Sequence, residues 1–182
     1  MEHIPTGQEE KILNSLRTVM PTLRDRSERF LEALNSQIPT QDMKPVNLCE
    51  AFNKTADIHE LKIKIIGEGE ALINEQSLNS IFDNLFGNYR DQGRRDPASA
   101  PAIEINIAQR DAVVEISVQD TQGRPCLWPE RLFEPFWSEK GDGLGIGLYH
   151  ARQLVTGEGG SLQVLTPTDA AMTFVINLPK SV

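Results

Sequence analysis

Apolar residues recur along this chain at two different periods, and the switch between them marks out its elements. Ile12, Leu16, Val19, Leu23 and Phe30 step by four, three, four and seven. That spacing predicts one amphipathic helix, or two short ones, from Gln8 to Gln37. Pro21 sits inside the pattern and predicts a kink or a restart. Arg24 with Glu28, and Asp25 with Arg29, stand four residues apart and would support the exposed side by about 0.2–0.5 kcal/mol each. Two uses of this helix stay open: lying on its own domain, or pairing with a partner helix. The run from Gln37 to Val46 carries two prolines without periodicity and reads as a linker or turn.

Asn47 is a suitable cap for a helix through Leu48, Ala51 and Phe52 to about Ala56. The period then drops to two. Leu61, Ile63 and Ile65 alternate with lysines, predicting a half-buried strand that ends at Gly67-Glu68-Gly69. Leu78, Ile81, Phe82, Leu85 and Tyr89 form one stripe of a helix over Glu75 to Gln92. A polar loop from Gly93 to Pro101 separates it from two alternating runs, Ile103 to Ile107 and Val114 to Val118. The short Gln109-Arg110-Asp111 segment between them predicts a hairpin. A helix from Leu148 to Val155 and strands near Leu162–Leu165 and Met172–Leu178 close the chain. Antiparallel strand pairs beside separate helices predict an α+β fold, a two-layer sandwich.

Composition narrows the function classes. The 182 residues carry 18 Lys and Arg against 26 Asp and Glu, a formal net charge of −8. Such a chain offers nucleic-acid phosphates no general basic face. No apolar run approaches a membrane span, and the start MEHIPTGQEE lacks the regions of a signal peptide. Two cysteines, Cys49 and Cys126, make neither a disulfide framework nor a four-cysteine zinc site, so the expected compartment is a reducing cytoplasm.

Three features carry candidate chemistry. Asp120 continues the apolar face of Val114, Ile116 and Val118, and a half-buried carboxylate needs a hydrogen-bonding partner, from the protein or a ligand. Asn84 and Asn88 stand one helical turn apart at the edge of the apolar stripe. Their amide oxygens suit a hard cation and their N–H groups suit phosphate. Gly141, Gly143, Gly145 and Gly147 fall within seven residues and open directly into a helix, where close backbone approach and unpaired N–H groups favour an anion. The run fits neither a Rossmann fingerprint nor a Walker pattern.

In combination these segments resemble the sensor histidine kinases. Asn84-Leu85-Phe86-Gly87-Asn88 resembles their N box, and Leu132-Phe133-Glu134-Pro135-Phe136-Trp137 their F box. Gly143 to Leu148, with Gly159-Gly160 a helix further on, resembles the second glycine box. Asp120 to Gly123 stands where the first belongs. The resemblance covers roughly Val46 to Pro179 and implies the Bergerat-type ATP-binding fold shared with DNA gyrase and MutL. It divides the chain into a dimerisation-like helical segment and linker, 1–44, and an ATP-binding catalytic domain, 45–182. The cofactors it implies are ATP and Mg2+. Asn88 would hold the nucleotide-bound magnesium with Asn84 beside it, and Asp120 would accept from the adenine amine. Gly123, Gly143, Gly145 and Gly147 would approach the nucleotide. The short segment Ser138 to Asp142 resembles the lid of nitrogen-regulator-type kinases, which places Lys140 against a phosphate.

Two positions depart from the family pattern and reshape the expected adenine site. Gln122 replaces the first glycine of its box, with Gly123 displaced by one, and Tyr89 replaces the small residue that usually follows the magnesium-binding Asn. The chain holds three histidines, His3, His59 and His150. His59-Glu60-Leu61-Lys62 lacks the following proline of an acceptor box and leads into a predicted strand. The resemblance therefore implies transfer of the ATP γ-phosphate to a histidine not evident in this chain, and no catalytic residue is assigned here. The implied partners are a second copy through the N-terminal helix and a response regulator or phospho-accepting domain. An anti-sigma-type serine kinase and a nucleotide-binding interaction module are the alternatives.

Overall fold

The computed structural model describes residues 42–95, 101–123, 128–138, 145–166 and 172–181, with side chains of the first segment described through Asp91, and single helical positions between 17 and 31. Those N-terminal positions are exposed, among them Met20, Leu23 and Leu31. The expected Arg24–Glu28 pair forms, at 2.8 Å. Asp25 and Arg29 lie outside the described residues.

Strand β1 (Lys44–Asn47) opens the sandwich, followed by helix α1 (Leu48–His59). Asn47 caps α1 as its sequence position predicts, accepting from Glu50 N at 3.1 Å. The helix runs three residues beyond the expected Ala56, and Glu60 ends it in the left-handed conformation at φ 57°. Strands β2 (Ile63–Ile66) and β3 (Glu70–Ile73) precede the long helix α2 (Glu75–Arg95). Asn74 caps α2, its side-chain oxygen accepting from Gln76 N and Ser77 N. Strands β4 (Ile103–Gln109) and β5 (Val113–Asp120) form the expected hairpin. A 3-10 turn (Pro129–Arg131), helix α3 (Gly147–Gly157), β6 (Ser161–Leu165) and β7 (Thr173–Pro179) complete the described elements.

The main sheet has the order β2-β4-β5-β7-β6, with β2 parallel to β4 and every other pair antiparallel. One parallel pair needs a crossover, which β3 and α2 supply across the sheet face. The expected fold class, helices layered on a mixed sheet, stands. Two strands were not expected from sequence. β1 lies in the proline-bearing stretch, opening one residue before the predicted domain boundary, and pairs antiparallel with β3. Gly67 (φ +84°) allows the turn between β2 and β3, where a Cβ would collide with the Ile107 carbonyl.

The core lies between the sheet and the helices. Leu48 and Phe52 of α1, Leu78, Ile81, Phe82, Leu85 and Phe86 of α2, and Val155 of α3 are wholly buried. They pack against Ile105, Ile116, Val118 and Ile176 of the sheet. Phe52 and Phe82 stack with ring centres 4.0 Å apart, locking α1 onto α2. Each such ring contributes about 1.5–3 kcal/mol by leaving water. This rigid α2 stripe fixes the polar residues along its edge.

Candidate functional site at the junction of α2 and α3

Asn84 and Asn88 lie on the half-buried edge of α2 that faces α3. Each turns its amide nitrogen back on its own helix, Asn84 Nδ2 donating to Ser80 O at 2.8 Å and Asn88 Nδ2 to Asn84 O at 3.0 Å. The Asn84 oxygen faces the start of α3, where a Cβ on Gly147 would stand only 3.0 Å from Oδ1. Ile146 occupies the cap position of α3 and makes no side-chain cap hydrogen bond. The first turn of α3 therefore presents backbone N–H groups without a side-chain acceptor at its cap.

The glycine run is tied to the aromatic segment before it. Phe136 N donates to Gly145 O at 2.8 Å. Gly145 has φ +65°, and a Cβ there would overlap the Trp137 carbonyl, so this crossing needs glycine. Phe136 shares the left-handed region at φ 66°. Arg152 of α3 covers the Phe133 ring at 4.9 Å, and Arg131 lies 5.5 Å from the Trp137 ring centre while pairing with Glu134 at 2.9 Å. The aromatic segment thus clamps the entry to α3.

Asp120 is buried at the end of β5, on the face predicted from its alternation. Its Oδ1 accepts from Ala102 N at 2.9 Å and Gln122 N at 3.1 Å, stitching the end of β5 to the start of β4. Gly123 folds back over it, with its N donating to Asp120 O at 3.0 Å; a Cβ there would be 3.3 Å from Oδ2. The displacement of glycine by one position thus keeps small backbone against the carboxylate. Lys140 and Gly143 lie outside the described residues.

Tyr89 is buried beside this group, its ring edge-on to Phe174 at 6.4 Å. Burial pushes its phenol far above the usual range, and the negative Asp120 raises it further. Gly159 and Gly160 lie at the other end of α3, where Gly160 passes the Asn177 carbonyl of β7 too closely for any side chain. They hold α3 to the sheet.

His59 stands just ahead of a strand, as expected. It is the last residue of α1, which runs past its expected end to include it, and is buried between Asp83 (Nε2 to Oδ1, 3.0 Å) and Arg90 (Nδ1 to Nη1, 3.3 Å). Asp83 and Arg90 stand seven residues apart on one face of α2, but nothing in the sequence placed His59 against that face.

Residues 73–182 match the family described as histidine kinase-, DNA gyrase B-, and HSP90-like ATPases. The chain belongs to that family. Among relatives, the C4-dicarboxylate transport sensor protein DctS of Rhodobacter capsulatus is 27% identical over 161 residues, covering 85% of this chain and 24% of that protein. The two-component sensor PprA of Pseudomonas aeruginosa is 36% identical over 109 residues, 56% of this chain and 12% of that one. The chain thus spans a minor part of the curated relatives it matches. Among solved structures, full-length ShkA in complex with AMPPNP superposes with a TM-score of 0.68 at 21% identity, covering all of this chain and 41% of that one. The mycobacterial sensor histidine kinase MprB gives 0.60 at 18% identity over 76% of this chain and 98% of that one. These similarities match the histidine-kinase-type ATPase fold expected from the sequence boxes. No helix among the described residues is long and apolar enough to cross a membrane.

Proposed function

We propose that residues 45–182 are the ATP-binding catalytic module of a two-component sensor histidine kinase, acting in the cytoplasm, with residues 1–44 a dimerisation-like segment through which two copies associate. The observation that carries this reading is the seating of Asn84 against Gly147 at the uncapped start of an ATPase-family helix. A helix start approached by glycine takes phosphate without hindrance from side chains. Asp120 would accept from the adenine amine, with Gly123 leaving room beside it. Gly143, Gly145 and Gly147 would lie along the phosphates, and Lys140 would meet one of them.

The donor set suits a nucleotide-bound magnesium. Among the described residues no cluster of three His, Cys, Asp or Glu side chains suits a metal. Magnesium takes oxygen ligands and is commonly shared between one or two protein groups and phosphate. Asn88, its nitrogen committed to Asn84 O, would provide such an oxygen, and the ion would neutralise charge on the transferring phosphoryl group. The accepting histidine, supplied by another segment, would attack the γ-phosphorus through an imidazole nitrogen. A P–N bond forms as the bond to the β–γ bridging oxygen breaks, and ADP leaves. A response regulator would then take the phosphoryl group.

Titration calorimetry with ATP, with and without magnesium, tests the reading. Wild type should bind at about micromolar to millimolar strength, −8 to −4 kcal/mol. Asn88→Ala should lose most of the gain that magnesium gives. A chain that binds no ATP under either condition overturns the proposal, and a variant that keeps the full gain removes Asn88 from the metal.

A further inference from the structure

Tyr89 presents a polar atom with no explanation in the packing. The residue is 3% exposed, and its hydroxyl has no hydrogen-bond partner among the described residues. An unsatisfied buried hydroxyl is costly, whereas phenylalanine would fill the same space without that cost. The neighbours are fixed by the sheet. Phe174 is paired with Val118 across β5 and β7, and Asp120 lies two residues further along the same face of β5. Tyr89 meets Phe174 edge-on, one residue past Asn88, so its phenol lies over the corner that Asp120 closes.

We propose that the Tyr89 hydroxyl reads the base of the bound nucleotide, hydrogen-bonding a ring nitrogen of the purine whose amine meets Asp120. This rests on the ATP-binding reading above and adds a specificity-determining residue to it. A phenol both donates and accepts, so it can serve a ring nitrogen that a carboxylate cannot. The base would supply the partner that the folded chain leaves out, while Asp120, with Oδ1 held by Ala102 and Gln122, stays fixed in place.

Tyr89→Phe separates the hydroxyl from the ring. Calorimetry with ATP and with ADP should show the same loss of affinity for both, about three- to tenfold. The unliganded variant should melt at the wild-type temperature or above it, because an unpaired buried group has gone. Wild-type affinity in Tyr89→Phe would overturn the proposal. So would tighter binding by Tyr89→Ala alone, which would make the ring a mere plug. A loss confined to ATP would put the hydroxyl at the γ-phosphate, and failure of Tyr89→Phe to fold would reveal a structural partner; either result refutes base reading. Absence of nucleotide binding by wild type would instead overturn the ATP-binding reading itself, and this proposal with it.

Discussion

The side-chain oxygen of Asn84 and the bare α-carbon of Gly147 define the junction of α2 and α3: a methyl group on Gly147 would sit 3.0 Å from that oxygen. Residues 63 positions apart in sequence are thereby fitted at one helix start, and the fit depends on a missing side chain rather than on a bond. Alanine at the first helical position would otherwise be favourable, by about 0.5–1 kcal/mol over glycine.

Gly147→Ala should therefore leave melting within a few degrees of wild type while weakening ATP several-fold, because Asn84 must move away. Gly160→Ala is the contrast. Its Cβ would collide with the Asn177 carbonyl, so melting should fall by many degrees. Calorimetry beside thermal melts separates the two. Equal effects of both variants on melting would mean that Gly147 serves the fold.

Asp120 has a structural duty and, in the proposed site, a binding one, and substitution can split them. Asp120→Asn retains an oxygen for Ala102 N and Gln122 N, so the variant should fold; without the charged acceptor it should bind ATP about tenfold or more weakly. Asp120→Ala strands two backbone N–H groups, at about 1–3 kcal/mol each where they are buried, and should unfold at a clearly lower urea concentration. Unchanged ATP affinity in Asp120→Asn would confine the carboxylate to its structural duty.

Most of the framework was legible in the sequence because period-two and helical patterns report burial directly. Val114 to Asp120 predicted a buried face that included its carboxylate, and Asn47 marked the start of α1. β3 escaped because Ala71, Leu72 and Ile73 follow one another without alternation, and β1 because Pro45 argued against a strand. A proline fits in β1 because it belongs to a two-stranded sheet with an open edge. The Asn84–Gly147 contact was not legible, since no local pattern brings two helix faces together; the resemblance implied only that both stand near the nucleotide. The unpartnered state of the Tyr89 hydroxyl depends on three-dimensional surroundings, and the sequence carried no sign of it.

Tyr89 also sets an alkaline limit. Its folded-state phenol titrates above its unfolded value of about 10, so the folded state holds the proton more tightly. The stabilising contribution is complete below pH 10 and is lost as pH rises through the folded value, by up to about 1.4 kcal/mol per pH unit. Denaturant melts at pH 9 and pH 11 should show a smaller loss of stability in Tyr89→Phe than in wild type. Identical slopes would mean that the phenol ionises as easily folded as unfolded.

Self-phosphorylation needs an accessible acceptor as well as bound nucleotide. Phosphoryl transfer depends on positioning, and a nucleophile without an accessible lone pair in line with the phosphorus does not react. His59 has both ring nitrogens engaged, one 3.0 Å from Asp83 and the other 3.3 Å from Arg90, and the residue is 7% exposed. To accept a phosphoryl group it would have to leave that cluster and abandon its edge contact with Phe86. Incubation with γ-labelled ATP should therefore leave this chain unlabelled while nucleotide binds. Supplying a helical dimerisation domain that carries an exposed histidine should produce acid-labile label on that domain. Label on the chain itself that disappears in His59→Ala would mean that the Asp83–His59–Arg90 cluster opens, and would make His59 the acceptor.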